Sequence, residues 1–456
     1  METSTVEKRN HLETTPIVQL IIKMSIPTVL AQLVQLLYNV VDRVYIGRIG
    51  EDSSLALAGL GIAFPIISII IAFAAFVGTG GATRAAIAMG AKDTEKAEKL
   101  LGNSISLIFM LSIILTAVFL VYKEPILYAF GASEDTIDFA TGYLSIYLWG
   151  TIFVQATLGL NAFITNQGFA KTSMMTVVIG CALNIILDPI FIFGLNMGVK
   201  GAALATVISQ SVSAIWVVSF LLSKKSLLKI RIKNLFLSKA IVVSIASLGI
   251  SVFIMNSTES LIQLVFNKGM QTYGGDMHVA LMSILFSIMQ LVFLPISGLG
   301  QGAQPVMSYN FGAKNVQRAK DAYKCLLKII CIFSFSLVGF IIIFPQFFIG
   351  IFTPDQDLIA LGIPTLRIFI IGMALMGVQS ACQQAFVATG NAKMSVFLAV
   401  LRKIILLVPL ALTLPHLFGL GYWGVIIAEP ISDCLSATTA AILFFVNRKK
   451  IFIKKD

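Results

Sequence analysis

ISLIFMLSIILTAVFLV, residues Ile105 to Val121, holds seventeen positions without a charge. A helix that crosses the hydrocarbon core of a bilayer needs about 20 mostly apolar residues, and this run with its flanks supplies them. Comparable stretches recur at Ile241 to Met255, Ile329 to Phe344 and Ile426 to Val446, among others. They are too many for a single anchor or a signal peptide. The whole 456-residue chain is 57% hydrophobic and 12% charged, with a mean hydropathy of +0.91. Soluble domains carry about 25% charged residues, so this chain is built for lipid.

Working outward from these runs, the sequence predicts an all-α integral membrane protein of twelve transmembrane helices. They run from 16 to 46 and 55 to 80 through 135 to 164, 172 to 193 and 200 to 222, then from 240 to 266 through 357 to 388, 394 to 414 and 422 to 447. The first stretch is polar, carries Lys8 and Arg9, and shows no removable targeting segment.

The net charge of +11 does not point to nucleic acid, which would need a basic face on a folded surface. Here the basic residues gather in alternate connections: Arg84, Lys92, Lys96 and Lys99; Lys171; Lys224, Lys225, Lys229, Arg231, Lys233 and Lys239; Lys314, Arg318, Lys320 and Lys324; Lys393, with Arg402 and Lys403 nearby. The opposite connections hold Arg48, Lys123, Lys200 and Lys268 beside Glu51, Asp52, Glu124, Glu134, Asp135, Asp355 and Asp357. The positive-inside rule then puts both termini in the cytoplasm.

Gly90-Ala91-Lys92 returns about 222 residues later as Gly312-Ala313-Lys314, and the same shift carries Phe130 to Phe352, Asp135 to Asp357, Gly150 to Gly372, Gly168 to Gly390 and Ala170-Lys171 to Ala392-Lys393. A shift one longer carries Gly198 and Gly201 to Gly421 and Gly424. The expected organisation is therefore a cytoplasmic tail at 1–15, an N-lobe of six helices at 16–222, a basic cytoplasmic linker at 223–239, a C-lobe of six helices at 240–447 and a cytoplasmic tail at 448–456. Two pseudo-symmetric lobes with an even helix count share one direction of entry.

Charges inside spans are the functional pointers, because each costs about 2.5–3.5 kcal/mol at a helix centre. Asp188 interrupts the otherwise apolar run Val177 to Phe193, Asn184 precedes it by one turn on the same face, and Pro189 loosens the backbone there. A carboxylate, an amide and a loosened backbone suit a cation or proton site. A helix-packing hydrogen bond without transport is the bland alternative. Asp42 ends a helix whose polar stripe includes Gln35, Tyr38 and Asn39, with Pro27 able to kink it; an interfacial pair with Arg43 or Arg48 is its alternative. Glu429 and Asp433 share a face around Pro430 and fit either a second substrate or ion site or a pair with Arg367.

Other features argue against an enzyme. His11, His278 and His416 are scattered without metal spacing, no nucleophile and base are paired, and no cofactor motif is present. The glycines at 78, 80, 81, 298, 300 and 302 follow no strand and precede no P-loop lysine, so they read as close helix packing or a bend. The five cysteines lack any pairing pattern and read as packing residues.

Taken together, Pro27, Tyr38-Asn39-Val40-Val41-Asp42, the glycine-rich end of the second helix, Asn184-Ile185-Ile186-Leu187-Asp188-Pro189 and the repeated Gly-Ala-Lys resemble the multidrug and toxic compound extrusion (MATE) family of the MOP superfamily, in its bacterial MepA-like and DinF-like branch. The resemblance spans nearly the whole chain. It implies a V-shaped pair of lobes in the bacterial cell membrane, acting as a monomer. Such a protein exports amphipathic, often cationic small molecules in exchange for H⁺ or Na⁺. It further implies a cation site at Asp42, Asn184, Asp188 and Thr206, with Tyr143 and Asn161 in its hydrogen-bond network and Pro27 as the kink. The acidic site in the second lobe of the NorM-like branch does not map cleanly, since the seventh helix offers only Glu259. The rival is a lipid-linked oligosaccharide flippase of the same superfamily, which needs a cationic cavity; the spans offer only Lys23 and Arg367 against several acids.

Overall fold

The computed structural model describes residues 12–49, 53–417 and 419–452. Residues 1–11 of the tail expected at 1–15 and residues 453–456 of the tail expected at 448–456 thus lie outside the described residues, as do Glu51 and Asp52. No strand occurs among the described residues, which form α1 (Ile17–Ile46), α2 (Ser53–Gly90), α3 (Thr94–Ala129), α4 (Ile137–Trp149), α5 (Thr151–Asn166), α6 (Ala170–Pro189), α7 (Val199–Leu222) and α8 (Lys239–Gly274). There follow α9 (Asp276–Gly312), α10 (Val316–Ile343), α11 (Pro345–Gly350), α12 (Gln356–Ile371), α13 (Met373–Ala388), α14 (Ala392–Val400), α15 (Val408–Thr413) and α16 (Tyr422–Ile451). Among them, 11 helices are long and apolar enough to cross a membrane, or up to 12 if the bent pair α4 and α5 counts as one span.

The repeat seen in sequence has a structural meaning. α2 ends at Gly90, Lys92 takes a left-handed φ of 62°, and the Asp93 carboxylate then caps the next helix by accepting from Lys96 N at 3.0 Å. The second copy does the same: α9 ends at Gly312, Lys314 has φ 58°, and Asn315 Oδ1 accepts from Arg318 N at 3.2 Å. A lysine in this region carries a conformational cost of about 1–2 kcal/mol, so its recurrence marks a corner that both halves require.

Where the sequence reads 135 to 164 as one helix, the structure bends it by 59° at Gly150. A side chain there would stand 2.9 Å from Val207 Cγ1, so glycine lets α7 pack into the corner. Gly372, its counterpart in the repeat, likewise separates α12 from α13, and a Cβ there would stand 2.7 Å from Pro430 Cα. α1, by contrast, runs through Pro27 as one helix, although proline withholds an N–H from the preceding turn.

The helices gather into two compact units, one built mainly from Leu30–Asn256 and the other from Thr15–Val29 with the chain from Ser257 onward. The boundaries fall inside α1 and α8. In the first unit Ile66, Ile70, Leu144, Leu148 and Val154 form a buried core, and a Cβ on Gly78 would stand 2.9 Å from Gly159 Cα. In the second, Phe266, Phe286 and Phe369 meet edge to face with centroids 5.8 to 6.4 Å apart. There the N-terminal half of α1 lies backbone to backbone on α9: Thr28 Oγ1 donates to Gly298 O at 2.6 Å and Ser25 Oγ to Leu299 O at 3.2 Å. The glycines read as packing positions do serve close approach here. A Cβ on Gly302 would stand 2.7 Å from Ser25 N, so Gly302→Ala is expected to lose about 1–3 kcal/mol through overpacking. Gly339→Ala, which meets open space, serves as the control in the same thermal unfolding series.

Candidate functional site

α6 carries Asn184 and Asp188 one turn apart on the same face, and Pro189 ends its regular bonding, leading into a π-helical turn over Ile190–Gly194. Such wide turns are rare and concentrate at functional positions. α7 brings Thr206 alongside, α4 brings Tyr143, and α1 brings Tyr38 and Asp42, all within the first unit. Asp188 is wholly buried and Asp42 is 7% exposed.

The Asp42 and Asp188 carboxyls lie against each other in this cluster. With its amide oriented to satisfy both neighbours, Asn184 Nδ2 donates to Asp188 Oδ2 at 2.9 Å and its Oδ1 accepts from Thr206 N and Oγ1 at 3.2 Å. The Thr206 hydroxyl also meets Tyr38 OH at 3.4 Å, and Tyr143 is buried on α4. Asp42 Oδ1 is buried and accepts no hydrogen bond. Buried polar atoms are ordinarily satisfied, so this oxygen stands out among the polar groups of the first unit.

Beside this cluster Tyr38, Gly180, Cys181, Asn184, Thr206, Ser209 and Gln210 enclose a cavity of about 10 Å³, at the lower limit for one water. Ser209 Oγ and Gln210 Oε1 are buried without partners. Ser209 follows Thr206 by three residues on the same helical face, a spacing that could have pointed to it in the sequence.

The remaining expected site residues divide. Asn161 accepts from Thr176 Oγ1 at 3.0 Å and donates to Ser173 O at 3.2 Å, and neither bond reaches the carboxyls. Gln35 is half-buried and makes no hydrogen bond to the cluster. Arg43, one of the interfacial partners considered for Asp42, lies over the Phe64 ring, 5.9 Å from its centroid, while Asp42 itself is buried.

A second cluster lies in the second unit. Glu429 and Asp433 do not pair with Arg367, whose Nε donates to Ile342 O at 3.1 Å. Their counter-ion is Arg402, which donates from Nη2 to Glu429 Oε1 at 3.1 Å and from Nε to Asp433 Oδ1 at 2.8 Å. Lys403 next to it pairs with Glu259. Both basic residues are buried, carried on the π-helical turn Leu401–Leu407. Glu429 Oε2 and Asp433 Oδ2 are buried without partners. Glu429, Asp433 and Arg402 thus meet in the interior, with buried Lys403 reaching the half-exposed Glu259 beside them.

The family model described as MatE matches this chain twice, over residues 27–190 and 251–413. The chain belongs to the MatE family. The first match opens on Pro27 and closes one residue past Pro189, so it takes in Asp42, Asn184 and Asp188, while Glu429 and Asp433 lie beyond the second. Over 449 residues, 98% of either chain, this MatE protein is 27% identical to the multidrug export protein MepA of Staphylococcus haemolyticus (strain JCSC1435). A solved outward-facing multidrug resistance MATE family transporter of the MOP superfamily superposes with a TM-score of 0.90 at 28% identity, over 98% of each chain. A crystal structure of MATE in the bent conformation gives 0.88 at 28% identity, over 96% of this chain and 98% of that one.

Proposed function

We propose that this MatE protein is a secondary active multidrug efflux antiporter of a bacterial plasma membrane, with both termini in the cytoplasm, working as a monomer. It exports amphipathic, often cationic compounds and takes up H⁺ or Na⁺ in exchange. The observation that carries the reading is the pair of neighbouring buried carboxyls, Asp42 and Asp188, with Asp42 Oδ1 left without a hydrogen-bond partner. An ion entering from outside neutralises the pair, α1 bends at Pro27, and the drug is released outward. Asn184 and Thr206 hold the carboxyls in register and add oxygen ligands that suit Na⁺ as well as a proton. One charge crossing the membrane is worth about 2.3 kcal/mol per 100 mV, so exchanging one ion sustains about a fiftyfold gradient of a neutral drug at that potential. To Glu429 and Asp433 we assign a second uptake of a proton or cation, at the carboxylate oxygens that Arg402 leaves unmet.

A flippase of lipid-linked oligosaccharides would need an uncommitted cationic cavity. Arg402 and Lys403 add two buried bases to the count made from sequence, but Glu429, Asp433 and Glu259 engage them. Reconstituted into proteoliposomes, the protein should extrude ethidium when energised and leave labelled phospholipid distribution unchanged. Lipid scrambling without dye movement would replace the exporter reading with the flippase.

A further inference from the structure

The connection between α7 and α8, residues 223–239, is fastened along its length to the first unit by buried polar side chains. Gln167 Oε1 accepts from Ser226 Oγ at 3.0 Å and from Leu227 N at 2.7 Å. Glu98, 5% exposed, pairs through Oε2 with Arg231 Nε at 2.6 Å. Asn103, 1% exposed, donates to Asn234 O at 3.0 Å and accepts from Ser238 N at 2.7 Å, while Ser106 Oγ donates to Leu235 O at 2.6 Å. The segment is therefore a strap of fixed conformation and not a slack tether.

Its outer face reverses the usual burial pattern. Ile232 and Phe236 are 81% and 78% exposed, and Leu237 also faces out. Around them Lys224, Lys225, Lys229, Lys233 and Lys239 are exposed, and no acid occurs between Ser223 and Lys239. Both ends of the strap run straight into helices of spanning length, so this face lies at the bilayer boundary. Isolated apolar side chains set among lysines are the composition that seats a segment at the boundary between headgroups and acyl chains, and juxtamembrane basic clusters attract anionic lipid.

We propose that the 223–239 strap is a binding surface for anionic phospholipid of the surrounding bilayer, with Ile232 and Phe236 among the acyl chains and the lysines at the headgroups. Because Glu98, Asn103 and Gln167 tie the strap to α3 and α5, lipid held there fixes the ends of those helices.

The test places bimane at Ile232→Cys in the full-length protein carrying Cys325→Ala, Cys331→Ala and Cys434→Ala, the two remaining cysteines being buried. The protein is reconstituted in phosphatidylcholine vesicles doped with brominated phosphatidylglycerol or, at the same mole fraction, brominated phosphatidylcholine. The expected result is stronger quenching by the anionic lipid, by about fivefold or more, since each basic residue near the surface contributes a factor of that order. The label should also be shielded from aqueous iodide. With Lys224, Lys225, Lys229 and Lys233 changed to Gln, the preference should vanish. Equal quenching by both lipids, full access to iodide, or a preference that survives the four substitutions would each overturn the proposal.

Discussion

Arg402→Met should lower the free energy of unfolding by about 3–5 kcal/mol, the cost of leaving a buried charge without its partner. The guanidinium is shared between Glu429 and Asp433, and both acids sit in the protein interior on α16. Methionine fills similar space, so the loss arises from two stranded carboxylates and not from a cavity. Combining Arg402→Met with Glu429→Gln and Asp433→Asn should restore most of the stability, because an ion cluster replaced as a whole by neutral groups is often tolerated. Unfolding of the purified protein in mixed micelles reads both outcomes. A single Arg402→Met variant as stable as the wild type would mean that the two acids are not held there as charges.

Asp188→Asn is expected to depress drug efflux against a gradient by roughly 5- to 150-fold, the usual range of a coupling free energy between two sites. Asparagine keeps the size and can still accept from Asn184, so the fold should persist. It cannot exchange a proton with Asp42. The variant should therefore still bind ethidium while ceasing to concentrate its transport, and that separation of binding from export distinguishes lost coupling from lost folding. Asn184→Leu should fall between the two, since it removes the donor to Asp188 Oδ2 and the acceptor for Thr206 but leaves both carboxyls in place. Fluorescence dequenching in everted vesicles, paired with equilibrium dye binding, measures these effects.

Much of the fold can be read from the chain alone, because spanning a bilayer imposes a long apolar window that few other structures share. The repeat of Gly90-Ala91-Lys92 at Gly312 carries real geometry, a left-handed lysine followed by a capping side chain. Asp188 was conspicuous for the same reason: a carboxylate in an apolar run is costly and demands a partner. What the sequence conceals is tertiary. Arg402 and Lys403 sit beside a basic connection and look like topology signals, yet a π-helical turn rotates them inward. Arg402 meets Asp433 across 31 positions of chain, a pairing that no local pattern encodes, and the more evident Arg367 bonds to a backbone carbonyl instead. The corner at Gly150 is hidden too, since glycine in an apolar helix reads equally as packing or as a break. The strap at 223–239 reads as a basic linker in the sequence, and only the structure shows Gln167, Glu98 and Asn103 bound to its backbone.

The sharpest trial uses proteoliposomes in which a proton gradient and a sodium gradient are imposed separately while ethidium movement is followed. In the wild-type protein one of the two gradients should drive dye in the direction opposite to the ion, and the Asp42→Asn, Asp188→Asn double variant should respond to neither. Gradient-driven dye movement at the wild-type rate in the double variant would contradict the assignment of ion uptake to these two carboxyls.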